Sequence, residues 1–177
     1  MTSNIILLPL TNWVQQHLTA IFQTTKAADF NSAFDAFIAK DATITVNGQK
    51  LTRDQYKQQI QGEKFAEASA QVKFIGTVEV PDSEDQRVIA GKVGTFFQAT
   101  IDERFLVLGA PETSTVTSSL NLSIAPDKTL EPPHLPGRGG AFDPRRVMHL
   151  DQVTLDKPGS VHIPLPNPNP NAPGSSA

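Results

Sequence analysis

Apolar side chains recur every three or four positions near the start of the chain. Leu10, Val14, Leu18, Ile21 and Phe22 share one face, which predicts a helix over residues 11–25 with Thr11 or Asn12 as its cap. Trp13 and His17 lie four apart on a flanking stripe of that helix. A second helix is predicted over 30–38, capped by Asp29, with Phe30, Phe34, Phe37 and Ile38 as its buried face. A strand over 42–46 follows and turns at Asn47-Gly48. Thr52 then opens a third helix to about residue 61. The run Thr-Arg-Asp-Gln has the form of a capping box, in which the first and fourth side chains each satisfy the other's backbone N–H.

Beyond residue 68 the period falls to two. Strands are predicted over 69–80, 88–101, 103–108, 115–125 and 146–155, with "PDSEDQ" at 81–86 as a hairpin loop. The pattern is clearest over 115–125. Val116, Ser118, Leu120, Leu122 and Ile124 alternate with Thr115, Thr117, Ser119, Asn121 and Ser123, as in an antiparallel sheet packed on one face. Three helices followed by a run of long strands is an α+β pattern.

With 177 residues and 38% hydrophobic content, the chain can form one domain that buries roughly two thirds of its unfolded surface. Eleven of the 14 prolines lie at 126 or beyond. They mark a Pro/Gly-rich insertion at 126–144 and a Pro/Asn-rich tail. The expected organisation is a domain over 1–157 carrying that insertion, then a disordered tail over 158–177. A 19-residue connection between strands suits a lid, a binding loop or a tolerated insertion. A formal charge of −3 gives no electrostatic basis for nucleic-acid binding. The absence of cysteine excludes disulfides, thiolate nucleophiles and Cys-based metal sites. The apolar run at 5–10 is too short to span a bilayer and has no basic leader, so a cytoplasmic, membrane-free protein is expected. No phosphate-loop or paired-histidine metal spacing is present, and no cofactor or metal is expected.

The segment "FDAFIAKDATITVNGQKLTRDQYKQQI", with "RRVMHLDQVTL" as a closing strand, resembles the nuclear transport factor 2-like superfamily over about residues 8–157. Ketosteroid isomerase, scytalone dehydratase and polyketide (SnoaL-like) cyclases are members. The resemblance implies a cone, or cystatin-like roll. In it a curved antiparallel sheet of 5–6 strands wraps a long N-terminal helix and encloses an apolar cavity. It also implies a homodimer joined through the sheet. In ketosteroid isomerase the motif D-A-T-V-E-D ends in the proton-shuttling base. That position falls here on Val46, or with a one-residue slip on Asn47, and the oxyanion tyrosine falls on Phe22. Valine cannot shuttle a proton and phenylalanine cannot donate to an enolate.

His149 and Asp151 lie two apart on the last predicted strand and share a face with Val147, Val153 and Leu155. Such a pair can form a base and its orienter, a structural pair or a dimer contact. Trp13, His17, Phe22, Val46 and Tyr56 are the candidate ligand-binding residues. Two function classes follow. One is a non-catalytic module binding a small apolar molecule or a partner. The other is a lyase, isomerase or cyclase acting on a small apolar metabolite, with His149 as acid/base and Asp151 as orienter. A third, weaker reading is an adaptor that docks through its Pro-rich tail.

Overall fold

A computed structural model describes residues 7–63, 67–82, 89–107, 110–131 and 142–161. The tail beyond 161, the centre of the insertion and most of the 81–86 loop lie outside these residues. Three helices and six strands follow in the order α1 (Leu10–Gln23), α2 (Ala27–Phe37), β1 (Ile38–Val46), β2 (Gln49–Leu51), α3 (Arg53–Glu63), β3 (Glu67–Pro81), β4 (Gly91–Val107), β5 (Ala110–Pro126) and β6 (Arg145–Val161). The strands form one curved sheet in the order β2-β1-β6-β5-β4-β3. All neighbours are antiparallel except β1 and β6, which run parallel. The sheet is therefore mostly antiparallel, as expected, with one parallel pair. β6 is reached through a long excursion and re-enters the sheet beside β1 in the same direction.

The apolar stripe of α1 faces the sheet as its spacing predicts, and Leu10, Val14, Leu18, Ile21 and Phe22 are all buried. Its cap differs from expectation. The helix begins at Leu10, with Pro9 at the N-cap and no side-chain cap of its own. Thr11 instead donates its backbone N–H to the carboxylate of Glu79 on β3. A distant acid thus meets the positive end of the helix dipole. α2 likewise starts earlier, behind Lys26, so Asp29 sits inside its first turn rather than at the cap. Ile38 and the three residues after it join β1, because hydrogen bonding to β6 begins at the Ile38–Val147 pair.

The predicted capping box is formed. Thr52 N–H donates to Gln55 Oε1 at 2.8 Å, and Gln55 N–H donates to Thr52 Oγ1 at 3.2 Å. Asn47 and Gly48 adopt φ of 50° and 78°, the left-handed pair that a two-residue hairpin requires. The expected break near residue 102 is absent, and β4 runs through it with a register shift after Asp102. β4 and β5 are 17 residues each, long enough to curve around the helices. Gly91 opens β4 at a close approach. A Cβ there would lie 2.6 Å from both Leu10 Cδ1 and the Val80 carbonyl oxygen.

Candidate functional site

The concave face of the sheet and the inner faces of the three helices enclose a cavity. Phe22 from α1 meets Phe97 of β4 edge-on, with ring centroids 5.7 Å apart. Tyr56 from α3 tilts against Phe34 of α2 at 6.1 Å. These rings nearly fill the interior. The remaining free space is about 10 Å³, room for about one water molecule.

Gln152 of β6 places an amide among these rings. It is buried, and its Nε2 donates to Ser118 Oγ on β5 at 2.8 Å. Its Oε1 is sealed from solvent and has no hydrogen-bond partner. The two amide atoms can be exchanged without changing this conclusion. Ser118 satisfies one of them, and the other is left in an apolar cavity. Gln152 pairs in register with Val46 of β1 and Leu120 of β5. The position where the resemblance expects a catalytic base is thus an apolar Val46 with a neutral amide on the adjacent strand. Among the residues lining the cavity, Tyr56 is the one titratable side chain.

The predicted site residues divide among three places. Phe22 and Tyr56 line the cavity, and Val46 lies next to Gln152 on the neighbouring strand. Trp13 and His17 lie elsewhere, on the far side of Phe37. His149 and Asp151 are exposed. The expectation that they share a face with buried Val147 is corrected by a register shift. β5 pairs Ile124 with Val147 but Ser123 with His149, so Met148 is an extra residue at a bulge and the face inverts there. Leu150 and Gln152 turn inward as a result, and His149, Asp151, Val153 and Leu155 turn outward. That inversion is also why periodicity alone misses Gln152. Asn47 is not in the cavity either. Its side chain donates to the Thr154 carbonyl at 3.0 Å and accepts from the Thr154 N–H at 2.9 Å, tying the β1–β2 turn to β6.

A second constellation joins α1, the end of α2 and the start of β6. His17 packs between Trp13, at 4.4 Å, and Phe37, at 5.4 Å. The guanidinium of fully buried Arg145 lies 5.3 Å from the Trp13 ring. Arg145 Nε contacts both oxygens of the Asp143 carboxylate at 2.9 and 3.1 Å, and its Nη2 donates to Asp143 Oδ2 at 2.7 Å. Nη1 donates to the Leu8 carbonyl, which fastens the chain entering α1. Burial pushes the His17 imidazole down to about 4. The neighbouring Asp143 opposes that shift, and Arg146 and Arg145 reinforce it. His17 is therefore neutral at pH 7. The Asp143 carboxyl is held below its ordinary value by Arg145 despite its own partial burial.

No protein-family model matches the chain, and no curated protein is similar to it. Solved structures are. A protein from Novosphingobium aromaticivorans, provisionally described as an aromatic ring hydroxylase, aligns with TM-score 0.52 at 11% identity over 88% of this chain and 96% of its own. AclR from Streptomyces galilaeus, provisionally described as a hydroxylase, aligns with TM-score 0.51 at 9% identity over 82% and 74%. An NTF-2 like protein from Pseudomonas aeruginosa aligns at 0.46 and 12% identity over 81% and 96%. The chain shares with the first two of these, both above TM-score 0.5, an α+β fold, here three helices against one curved six-stranded sheet. At such identities the likeness concerns the fold, and a shared fold does not carry an activity with it.

Proposed function

We propose that this protein is a non-catalytic ligand-binding module. It takes a small, largely apolar molecule bearing one hydrogen-bonding group into the cone, where Gln152 receives that group. The carrying observation is the unpartnered amide atom of Gln152, sealed among aromatic side chains. A buried polar atom without a partner costs about 1–3 kcal/mol, and a ligand that satisfies it recovers that cost. The lining supports binding over turnover, because it offers no carboxylate or imidazole to move a proton at neutral pH.

A ligand larger than water needs the interior to open, and α3 is the wall suited to move. Its buried side chains are Tyr56 and Ile60, and the other described residues of the helix are exposed or half-exposed. Elements with so little buried apolar surface open at low free energy. The test uses phenol and toluene as paired probes, followed by amide and methyl NMR. Phenol is expected to perturb Gln152, Phe22 and Tyr56 with roughly tenfold preference over toluene, since a site built around a polar atom rejects an analogue lacking the partner. Gln152→Leu should abolish that preference. If neither probe perturbs the cone, the pocket reading fails.

The homodimer belongs to the same proposal. The outer face of the sheet carries exposed Phe96, Val153 and Leu155, with Val78 and Val80 on β3. In register, Phe96 neighbours Ser119, and Ser119 neighbours Val153, so the apolar groups cross the middle of the face. An apolar band of this kind suits a second copy. His149 and Asp151 border it, which favours their reading as a dimer contact. The lyase, isomerase or cyclase alternative would place its substrate on this outer face, and unchanged turnover in His149→Ala would remove His149 as its acid/base.

A further inference from the structure

Outside the cone, the base of the Pro/Gly-rich insertion closes over a separate cleft of about 140 Å³. The backbone N–H of Asp127 donates to the Pro144 carbonyl at 2.8 Å, which joins the two ends of the insertion. α2, the start of β1 and the start of α3 complete the walls. Three cations line the cleft (Lys40, Arg53 and Arg146) against two carboxylates (Asp35 and Asp127). Ile38 and Leu130 supply its apolar surface. Ile38 also lines the cone cavity, so one side chain separates the two spaces.

Both carboxylates have hydrogen-bond partners, but those of Asp127 are neutral and leave its charge acting on Arg146 and Lys40. Asp35 Oδ1 accepts from Arg53 Nη2 at 2.6 Å and from Lys57 Nζ at 3.5 Å. Asp127 Oδ1 accepts from the N–H and hydroxyl of Thr129 at 2.8 and 2.6 Å. Two of the cations have no direct carboxylate partner among the described residues. Arg146 is half-buried and makes no carboxylate ion pair among the described residues. Its Nε donates to the Asp35 carbonyl at 3.2 Å, and its Nη1 donates to the carbonyls of Asp143 and Arg145 at 3.1 and 2.6 Å. These backbone acceptors orient the guanidinium, and the charges of Asp143 and Asp127 act on it without a direct ion pair. Its Nη2 has no acceptor, and the Lys40 ammonium has neither hydrogen bond nor ion pair among the described residues. A partly desolvated guanidinium with its planar fork half used is the arrangement that recognises an oxyanion.

We propose that this cleft binds a small anionic ligand. A carboxylate or phosphate group would seat on Arg146 Nη2 and Lys40, with a short apolar portion against Ile38 and Leu130. The cleft's volume limits the ligand to a few carbon atoms beyond the anionic group. The site is independent of the cone cavity and of its proposed ligand.

The test titrates the full chain with inorganic phosphate and with butyrate at constant ionic strength, using chloride as the control, and follows backbone amides by NMR. Saturable shifts at Lys40, Arg53, Leu130 and Arg146 are expected with at least one probe. Phosphate alone would assign a phosphorylated ligand and butyrate alone a carboxylic acid. Arg146→Gln and Lys40→Gln should each weaken binding about tenfold or more, while Gln152→Leu leaves it unchanged. Arg146 also holds three backbone carbonyls, so its variant can fail to fold. Lys40 is exposed and holds none, and its variant then decides alone. Absence of saturable shifts, an equal response to chloride, or unchanged affinity in the folded variants would overturn the proposal.

Discussion

The imidazole of His17 shows what folding does to one residue. Packed against Trp13 and Phe37, it loses water that its charged form needs, and it takes up a proton only near pH 4. The unfolded chain takes up that proton near pH 6.5. Stability is therefore unaffected by His17 above pH 6.5, declines as pH falls from 6.5 towards 4, and levels off below, where both states are protonated. The expected loss across that window is on the order of 3 kcal/mol. Denaturant midpoints measured between pH 7 and pH 4 check it. His17→Phe should flatten that slope, and an unchanged slope would show that His17 is not its source. Asn47 makes a second residue-scale case. Asn47→Ala removes the two hydrogen bonds to Thr154 and places alanine at φ of 50°. A loss of about 1–3 kcal/mol in equilibrium unfolding is expected.

At the scale of elements, the helices differ in what ends them. α3 carries its own capping box, written in four consecutive residues and therefore legible in the sequence. α1 does not. Its terminal N–H is met by Glu79, 68 positions from Thr11, so no local motif could announce it. Glu79→Ala is expected to cost about 1 kcal/mol of global stability, read from chemical denaturation. Faces were legible wherever a strand kept its period, as β5 does. They were not legible across a bulge. Met148 inverts the alternation of β6, which sends His149 and Asp151 outward and turns Gln152 into the cone. The candidate pair and the residue that occupies the site thus exchanged faces through one extra residue. α3 makes the remaining prediction at this scale. Its amides should exchange with solvent faster than those of α1, and equal protection in a native-state exchange experiment would argue against its opening.

For the molecule as a whole, the two faces of the sheet have different fates. The concave face is covered by helices and nearly filled. The convex face keeps Phe96, Val153 and Leu155 in solvent. If a second copy covers them, sedimentation velocity should give a dimer that Val153→Lys shifts towards monomer, while circular dichroism remains that of the folded chain. A monomer at all concentrations would leave the outer face free for another partner. Among the described residues, no helix is long and apolar enough to cross a membrane.

The sequence by itself determined the α+β class, the buried faces of α1, α2 and β5, the Asn-Gly turn and the capping box. Each of these depends on residues close together in the chain, where spacing and local hydrogen bonding are sufficient. It also placed apolar Val46 and Phe22 where the resemblance expects a base and a tyrosine. Tertiary structure alone decided the rest. It set the parallel pairing of β1 with β6, brought Glu79 to the start of α1, and inverted β6 at its bulge. It also gathered Lys40, Arg53 and Arg146 around one cleft. Those outcomes depend on contacts between distant segments and on where a backbone gains one residue against its partner, and neither leaves a periodic trace in the chain.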